Sequence, residues 1–136
     1  MRTSAAVRDA MLHFYDRISA SDVGSFESLV SRDPATLVIG TAPGEWITER
    51  HRLRYGFEAE GLRITPGDAV GYEEGSLGWV VDTPTYFFPD GSEMHTRLTA
   101  ILKKEDGDWR LVHMHLSVGV PDEEERIQAE SFDLLR

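Results

Sequence analysis

Hydrophobic residues recur with a helical period near the start of the chain. Val7, Met11, Phe14 and Ile18 are three or four residues apart and therefore share one face. We predict an amphipathic helix over residues 4–20. Further along, the pattern predicts a second helix that Asp22 caps and Asp33-Pro34 ends, a buried strand over Thr36–Gly40, and a third helix from Thr48 to about Glu60.

From residue 62 the pattern changes to β-type segments separated by turn signals such as Pro89-Asp90-Gly91. The predicted strands are residues 68–74, 77–88, 92–104 and 108–119. Pro84 predicts a bulge or an edge position, because proline cannot donate a ladder hydrogen bond. Three helices followed by this meander predict an α+β fold, with the helices packed on one face of a strongly curved antiparallel or mixed sheet that forms a cone with an internal cavity.

The composition narrows the classes of function. The 136 residues carry 14 Lys and Arg against 24 Asp and Glu, a net charge of −10, so nucleic acid is not an expected partner. The absence of cysteine excludes disulfides, thiolate nucleophiles and cysteine-ligated zinc.

Because no stretch approaches the length of an apolar membrane span, we expect a soluble, cytoplasmic protein that does not bind membranes. We expect one domain over residues 1–120 and an acidic tail over 121–136, as a short helix or a frayed end.

Two histidines on the last predicted strand are candidate metal ligands. Strict alternation places Val112, Met114 and Leu116 toward the cavity, and His113 and His115 on the opposite face. Imidazoles two residues apart suit zinc, iron or copper, but a metal site needs a third ligand, and the sequence does not fix the register that would bring His95 or Glu93 of the preceding strand beside them. A structural role across the sheet or at a subunit contact is therefore the favoured interpretation, and no metal or other cofactor is predicted.

The sequence identifies no catalytic residue by motif. His115 and Asp82 are candidates, since a carboxylate beside an imidazole can move a proton. An ion pair between Asp82 and Arg97 across the sheet is the favoured alternative. Ser117 lies near His115, but the chain has no Gly-x-Ser-x-Gly elbow to support a nucleophilic serine.

Several segments resemble one known family. They are VIGTAPGEW (38–46), GWVVD (78–82), RLTAILKKEDGDW (97–109) and RLVHMHLSVGVP (110–121). With the order of elements, they resemble the SnoaL-like branch of the nuclear transport factor 2-like superfamily, a cystatin-like α+β cone. The last strand is also similar to the end of the calcium/calmodulin-dependent protein kinase association domain. The resemblance implies the fold and a homodimer through the outer face of the sheet, but it selects no activity, because the superfamily contains enzymes, assembly domains and transport adaptors.

The functional positions of these relatives are occupied here by other residue types. In ketosteroid isomerases of the superfamily, a helix-one tyrosine and two carboxyl groups polarise a carbonyl and move a proton. The matching positions fall on Phe14, about Gly40, and Thr99 or Ala100, none of which can do this. The arginines and the histidine in the cavity of the kinase association domains fall on Val81, Ala100, Leu116 and Leu53. The comparison implies a pocket of the same shape with an apolar wall.

Aromatic and apolar side chains are therefore the candidate ligand contacts. Trp46 follows a Pro-Gly loop and Trp79 begins the strand that contributes Val81 to the predicted cavity, although both tryptophans also suit ordinary core positions. The full candidate set is Phe14, Trp46, Leu53, Phe57, Trp79, Val81, Ala100, Met114 and Leu116.

Three consecutive aromatic residues, Tyr86 to Phe88, place at least one ring outside the cavity. An aromatic ring exposed on a sheet is typical of a surface that a partner buries. We predict a homodimer that binds a small apolar or aromatic molecule, with its status as an enzyme open. The alternatives are a noncatalytic assembly or adaptor module, and an isomerase, cyclase or dehydratase that uses polar residues at the pocket mouth.

Overall fold

The computed structural model describes residues 1–122. Most of the acidic tail, residues 123–136, lies outside the described residues. The first helix, α1, spans Ala5–Ser19, close to its predicted bounds. Ser4 caps it, because the Ser4 side-chain oxygen accepts a hydrogen bond of 3.1 Å from the backbone N–H of Val7. The side chains of α1 that are buried are Val7, Met11, Phe14, Tyr15 and Ile18.

The other helices are shorter than predicted. A 3-10 turn at Val23–Ser25 leads into α2, Phe26–Leu29, and α3 spans only Arg50–Tyr55. Gly56 follows α3 with helical backbone angles, and the next turns are tighter, because the N–H groups of Phe57 and Glu58 donate to the carbonyls of Arg54 and Tyr55 at 2.9 and 3.0 Å. The chain then turns so that Phe57 is buried, and Gly61 has the predicted left-handed conformation, with φ +77°.

The strands form two sheets. Their bounds are β1 Arg2–Thr3, β2 Leu37–Ile39, β3 Trp46–Ile47, β4 Arg63–Thr65, β5 Val70–Glu74, β6 Leu77–Asp82, β7 Thr85–Phe87, β8 Glu93–His95, β9 Arg97–Glu105 and β10 Asp108–Ser117. The main sheet has the order β1-β5-β6-β9-β10-β2-β3, and the second has the order β4-β7-β8. Because β10 and β2 are parallel and the other pairs are antiparallel, the fold is α+β with a mixed main sheet.

The prediction of one strongly curved sheet is corrected by a break in two long strands. The segment predicted as 77–88 divides at Thr83-Pro84, and the segment predicted as 92–104 divides at Thr96. Proline has no N–H for the ladder, and Thr96 instead donates through its backbone N–H and its hydroxyl to the Pro84 carbonyl, at 3.2 and 2.7 Å. Strands β7 and β8 therefore leave the main sheet and pair with β4.

This break also relocates the aromatic run. Tyr86 is buried, Phe87 is half-buried and Phe88 is exposed, and Tyr86 and Phe87 belong to the second sheet. The Arg63 guanidinium covers the Phe87 ring at 4.4 Å from its centroid. Phe87 and Phe88 therefore lie outside the cavity, as expected, but they are not part of the main sheet.

A β-bulge in β10 corrects the predicted faces of the last strand. The register shifts between Leu111 and His113, so the strand carries one extra residue there. As a result Leu111 lies on the buried face with Met114 and Leu116, whereas Val112 is only half-buried. Strict alternation predicted the reverse, with Val112 on the cavity face and Leu111 on the other face.

Helix α1 packs closely on the main sheet where the strands carry glycine. A Cβ on Gly71 would lie 2.6 Å from the backbone nitrogen of Arg8, and a Cβ on Gly78 would lie 2.7 Å from a methyl carbon of Val7. These two glycines therefore let α1 approach β5 and β6. We call the opposite, helix-free face of the main sheet the outer face.

Candidate functional site

A cavity of about 270 Å³ lies between α1, α3 and the main and second sheets. Its wall is mostly apolar. The apolar side chains of the wall are Phe14, Ile18, Val30, Val38, Ile47, Leu53, Phe57, Leu62, Ile64, Leu111, Met114 and Leu116. Apolar pockets of a few hundred cubic ångströms are typical sites for small molecules.

Local structure explains how the wall is assembled. Phe14 and Ile18 are four residues apart on α1 and so lie on the same side of that helix. Phe57 packs edge to face against Phe14, with ring centroids 5.3 Å apart, and against Phe26, at 5.5 Å. The bulge in β10 adds Leu111 to the strand's contribution.

Tyr86 brings a hydroxyl group to this apolar wall. The residue is 9% exposed and lies in the middle of β7. Burial raises the pKa of Tyr86 well above its ordinary value, and the negative charge of Glu45 raises it further. The hydroxyl is therefore uncharged near neutral pH and can donate a hydrogen bond.

Glu45 brings a carboxylate to the same wall. Its backbone fixes the loop after β2, because Gly40 N–H donates to the Glu45 carbonyl at 2.8 Å and Glu45 N–H donates to the Ala42 carbonyl at 3.0 Å. One carboxylate oxygen accepts from Ala42 N–H at 3.1 Å. The other packs over Gly40, where an added Cβ would also lie 2.8 Å from the Cβ of Glu45, so a larger residue at this position would displace the Glu45 side chain.

Arg52 is the remaining charged group of the wall. Its guanidinium lies 3.3 Å from the carboxylate of Glu49, one turn earlier, so it already has an acidic partner. Both of these side chains are about half exposed, which places their ion pair at the solvent side of the cavity.

Five residues of the predicted ligand set line the cavity. These are Phe14, Leu53, Phe57, Met114 and Leu116. Their location in the wall agrees with the arrangement expected from the sequence, and their role as ligand contacts stays a prediction.

The other four predicted contacts lie elsewhere, which corrects the sequence analysis. Trp46 is 62% exposed, because its neighbour Ile47 is the β3 residue that faces the cavity. Trp79 and Val81 point to the outer face, since the alternation along β6 buries Val80. Ala100 is fully buried in the core but is not part of the cavity wall.

The hydrogen bonds of Asp82, a candidate catalytic residue, connect parts of the fold. Its buried carboxylate accepts hydrogen bonds from the Tyr15 hydroxyl at 2.8 Å and from the backbone N–H groups of Gly67 and Thr83 at 3.0 and 2.7 Å. Burial, followed by the nearby Asp82 carboxylate, raises the pKa of Tyr15 far above its ordinary value. The expected ion pair with Arg97 is wrong, because Arg97 lies on the outer face and donates to Ser117 at 3.2 Å.

The two histidines of β10 lie on the outer face, away from the cavity. His113 donates from Nδ1 to the Leu37 carbonyl at 2.9 Å, a bond between the parallel strands β10 and β2. His115 is exposed and lies beside Thr99 and Ile39. Within residues 1–122, no group of three or more His, Cys, Asp or Glu side chains is arranged to hold a metal ion.

Sequence reasoning missed the polar side chains of the wall, which are Glu45, Arg52, Tyr55 and Tyr86. Tyr86 was noted only as part of an aromatic run, and the break at Pro84 decides which way its ring points. Glu45 stands in a loop whose hydrogen bonds depend on Gly40. The spacing of loop residues gave no signal for a carboxylate in an apolar cavity.

The comparisons with known proteins identify the family. The model of the SnoaL-like domain matches residues 7–121, so the chain belongs to the SnoaL-like family. A search of curated proteins found no match.

Solved structures share the fold at low sequence identity. A protein of unknown function with a cystatin-like fold from Nostoc punctiforme has a TM-score of 0.69 at 15% identity, over 88% of this chain and 96% of that one. An NTF2-like protein from Cytophaga hutchinsonii gives 0.68 at 19%, over 82% and 93%. The association domain of CaMKII from C. elegans gives 0.65 at 18%, over 81% and 91%. These similarities establish a cystatin-like, NTF2-like fold.

Among the helices of residues 1–122, none combines the length and the apolar character that crossing a bilayer requires.

Proposed function

We propose that the cavity binds a small apolar or aromatic molecule. The observation that carries the proposal is an unfilled volume of about 270 Å³ with a wall made mainly of aliphatic and aromatic side chains. A guest in this volume loses contact with water and gains contact with the wall, at about 25 cal/mol for each Å² of apolar surface buried. The volume suits a molecule of one or two rings.

A cavity-filling variant tests this proposal. Ile47→Trp places a large side chain in the cavity. Trp46→Ala is the control, because the Trp46 side chain is exposed and does not line the cavity. Naphthalene and indole are the probes in a thermal-shift assay. A ligand that binds only the native state raises its stability, by about 2.7 kcal/mol at a concentration of 100 Kd.

We expect the probes to stabilise the wild type and Trp46→Ala and to have little effect on Ile47→Trp. A circular dichroism spectrum of each variant establishes that it is folded. An equal shift in folded Ile47→Trp would place the probe outside the cavity and contradict the proposal.

We also propose that two copies of the chain associate through the outer face. Val81 is 41% exposed and Ile101 is 38% exposed there, and the Trp79 ring stacks on Tyr72 with centroids 4.6 Å apart. Register places Trp79 beside Ile101, so these groups form one surface. Burial of such a surface in a second copy removes apolar area from water.

An assembly module without catalysis is the second candidate, and the same exposed surface favours it. In that case the outer face carries the function and the cavity has no guest. If a variant that no longer forms the dimer still binds the probes, the ligand-binding function is favoured. If the wild type forms the dimer but binds none of the probes, the assembly module is favoured.

A further inference from the structure

We propose that the cavity selects an uncharged apolar molecule that carries a hydrogen-bond acceptor, which the Tyr86 hydroxyl holds while the Glu45 carboxylate excludes anions. This inference rests on the proposed ligand-binding function and names the chemical class of the guest. Tyr86 and Glu45 line the same cavity, and they supply opposite requirements: one group needs an acceptor and the other repels negative charge.

The Tyr86 hydroxyl supplies the attractive part of the selection. Within residues 1–122, no side-chain or backbone group forms a hydrogen bond with this hydroxyl, and it is not among the buried polar atoms sealed from solvent. A guest that fills the cavity displaces water from it. A guest with an acceptor replaces that lost hydrogen bond, whereas a pure hydrocarbon leaves the hydroxyl unpaired.

The Glu45 carboxylate supplies the repulsive part. Ala42 N–H holds one of its oxygens and Gly40 lies beneath the other, so the charge is fixed at the wall. No Lys or Arg of residues 1–122 forms a salt bridge with it, and Arg52 on the same wall is paired with Glu49. Glu45 is exposed, so an anionic guest would meet this like charge at the solvent side of the cavity, where water weakens the repulsion and no cation of residues 1–122 cancels it.

Three matched probes separate these effects. They share the naphthalene ring and differ in one substituent: 2-acetylnaphthalene carries a neutral acceptor, 2-ethylnaphthalene carries none, and 2-naphthoate carries a negative charge. Titration calorimetry on the full chain at pH 7 gives the dissociation constant of each. We expect the acetyl probe to bind about 2- to 10-fold more tightly than the ethyl probe, and the naphthoate to bind weakest.

Two conservative variants assign the selection to its residues. Tyr86→Phe keeps the ring and removes the hydroxyl, so the advantage of the acetyl probe should disappear, and the ethyl probe should bind at least as tightly as to the wild type because it no longer leaves a hydroxyl unpaired. Glu45→Gln keeps the shape and the acceptor oxygen for Ala42, so naphthoate should bind several-fold more tightly while the ethyl probe is unchanged. Retained binding of the ethyl probe shows that the cavity is intact in both variants.

The outcomes distinguish this inference from the function on which it rests. If all three probes bind the wild type equally, or if Tyr86→Phe retains the full preference for the acetyl probe, the selection is wrong and the cavity function stands. If naphthoate binds the wild type most tightly, the exclusion of anions is wrong. If no probe binds, the ligand-binding function and the selection both fall.

Discussion

The Tyr15 hydroxyl donates a hydrogen bond of 2.8 Å to the buried carboxylate of Asp82 and so ties α1 to the end of β6. The same carboxylate accepts from the N–H groups of Gly67 and Thr83, at the point where the chain leaves the main sheet. These three donors satisfy a buried anion without a cation. The position of the second sheet, and with it one wall of the cavity, therefore depends on this group.

Removal of the Tyr15 hydroxyl should destabilise the fold. Tyr15→Phe leaves the ring in the core and deprives Asp82 of one donor, so we expect the free energy of unfolding to fall by about 1–3 kcal/mol. Urea denaturation monitored by tryptophan fluorescence measures the change. Tyr55→Phe, at a residue that is 70% exposed, is the matched control and should have no effect. Equal stability of Tyr15→Phe and the wild type would contradict the structural role of the pair.

The close approach of α1 to β5 makes Gly71 a second sensitive position. The added methyl group of Gly71→Ala would meet the backbone of α1 at Arg8 and Ser4, which cannot move without shifting the helix. We expect a loss of about 1–3 kcal/mol of stability, measured by urea denaturation. Gly119→Ala, where nothing lies within 4 Å of the new methyl group, should change stability by less than about 0.5 kcal/mol. A similar result for both variants would contradict the packing described.

Stability should fall at acidic pH partly through Asp33. The backbone N–H of Ala35, at 2.9 Å, and the Lys103 ammonium, at 3.1 Å, lower the pKa of Asp33 in the folded chain. A carboxylate with a lowered pKa stabilises the fold above its unfolded pKa, about 4, and this contribution is lost as the pH falls through the folded pKa.

Asp33→Asn tests this contribution. We expect the variant to be less stable than the wild type at pH 7, and we expect the difference to shrink between pH 7 and pH 2.5, because the wild-type carboxyl takes up a proton as the pH falls through its lowered pKa. Urea titrations at the two pH values give the comparison. A difference of the same size at both pH values would show that the charge of Asp33 does not contribute.

A charged substitution on the outer face tests the proposed dimer. Ile101→Glu places a charge in the middle of the exposed apolar surface, so we expect it to abolish association. His13→Glu introduces the same side chain at an exposed position of α1 and should leave association unchanged. Sedimentation velocity at micromolar concentration distinguishes the two states. A wild-type monomer, or a dimer that survives Ile101→Glu, would contradict the proposal.

The parts of the fold that follow from local periodicity were predictable. Val7, Met11, Phe14 and Ile18 identify α1 because a helix repeats every 3.6 residues and these side chains need a common buried face. The bulge in β10 was not predictable, because an extra residue in one strand depends on hydrogen bonds to its partner and leaves no mark in the pattern of apolar residues.

The candidate site was predictable in its apolar part and not in its polar part. Leu53 and Phe57 were found because large apolar side chains near a helix face inward. Trp46 and Trp79 were misplaced, since aromatic size does not reveal which face of a strand a residue occupies. Glu45 is held by hydrogen bonds within its own loop, and residue spacing in a loop does not show which way a side chain points.

The most direct test of the central claim, that a small apolar molecule binds in the cavity, is a titration followed by NMR of methyl groups. With 2-acetylnaphthalene as the probe, we predict that the methyl signals of Leu111, Met114 and Leu116 shift as the cavity fills. The methyl signals of Val81 and Ile101 on the outer face should remain unchanged. Shifts confined to the outer face, or no shifts at any concentration of the probe, would contradict the account.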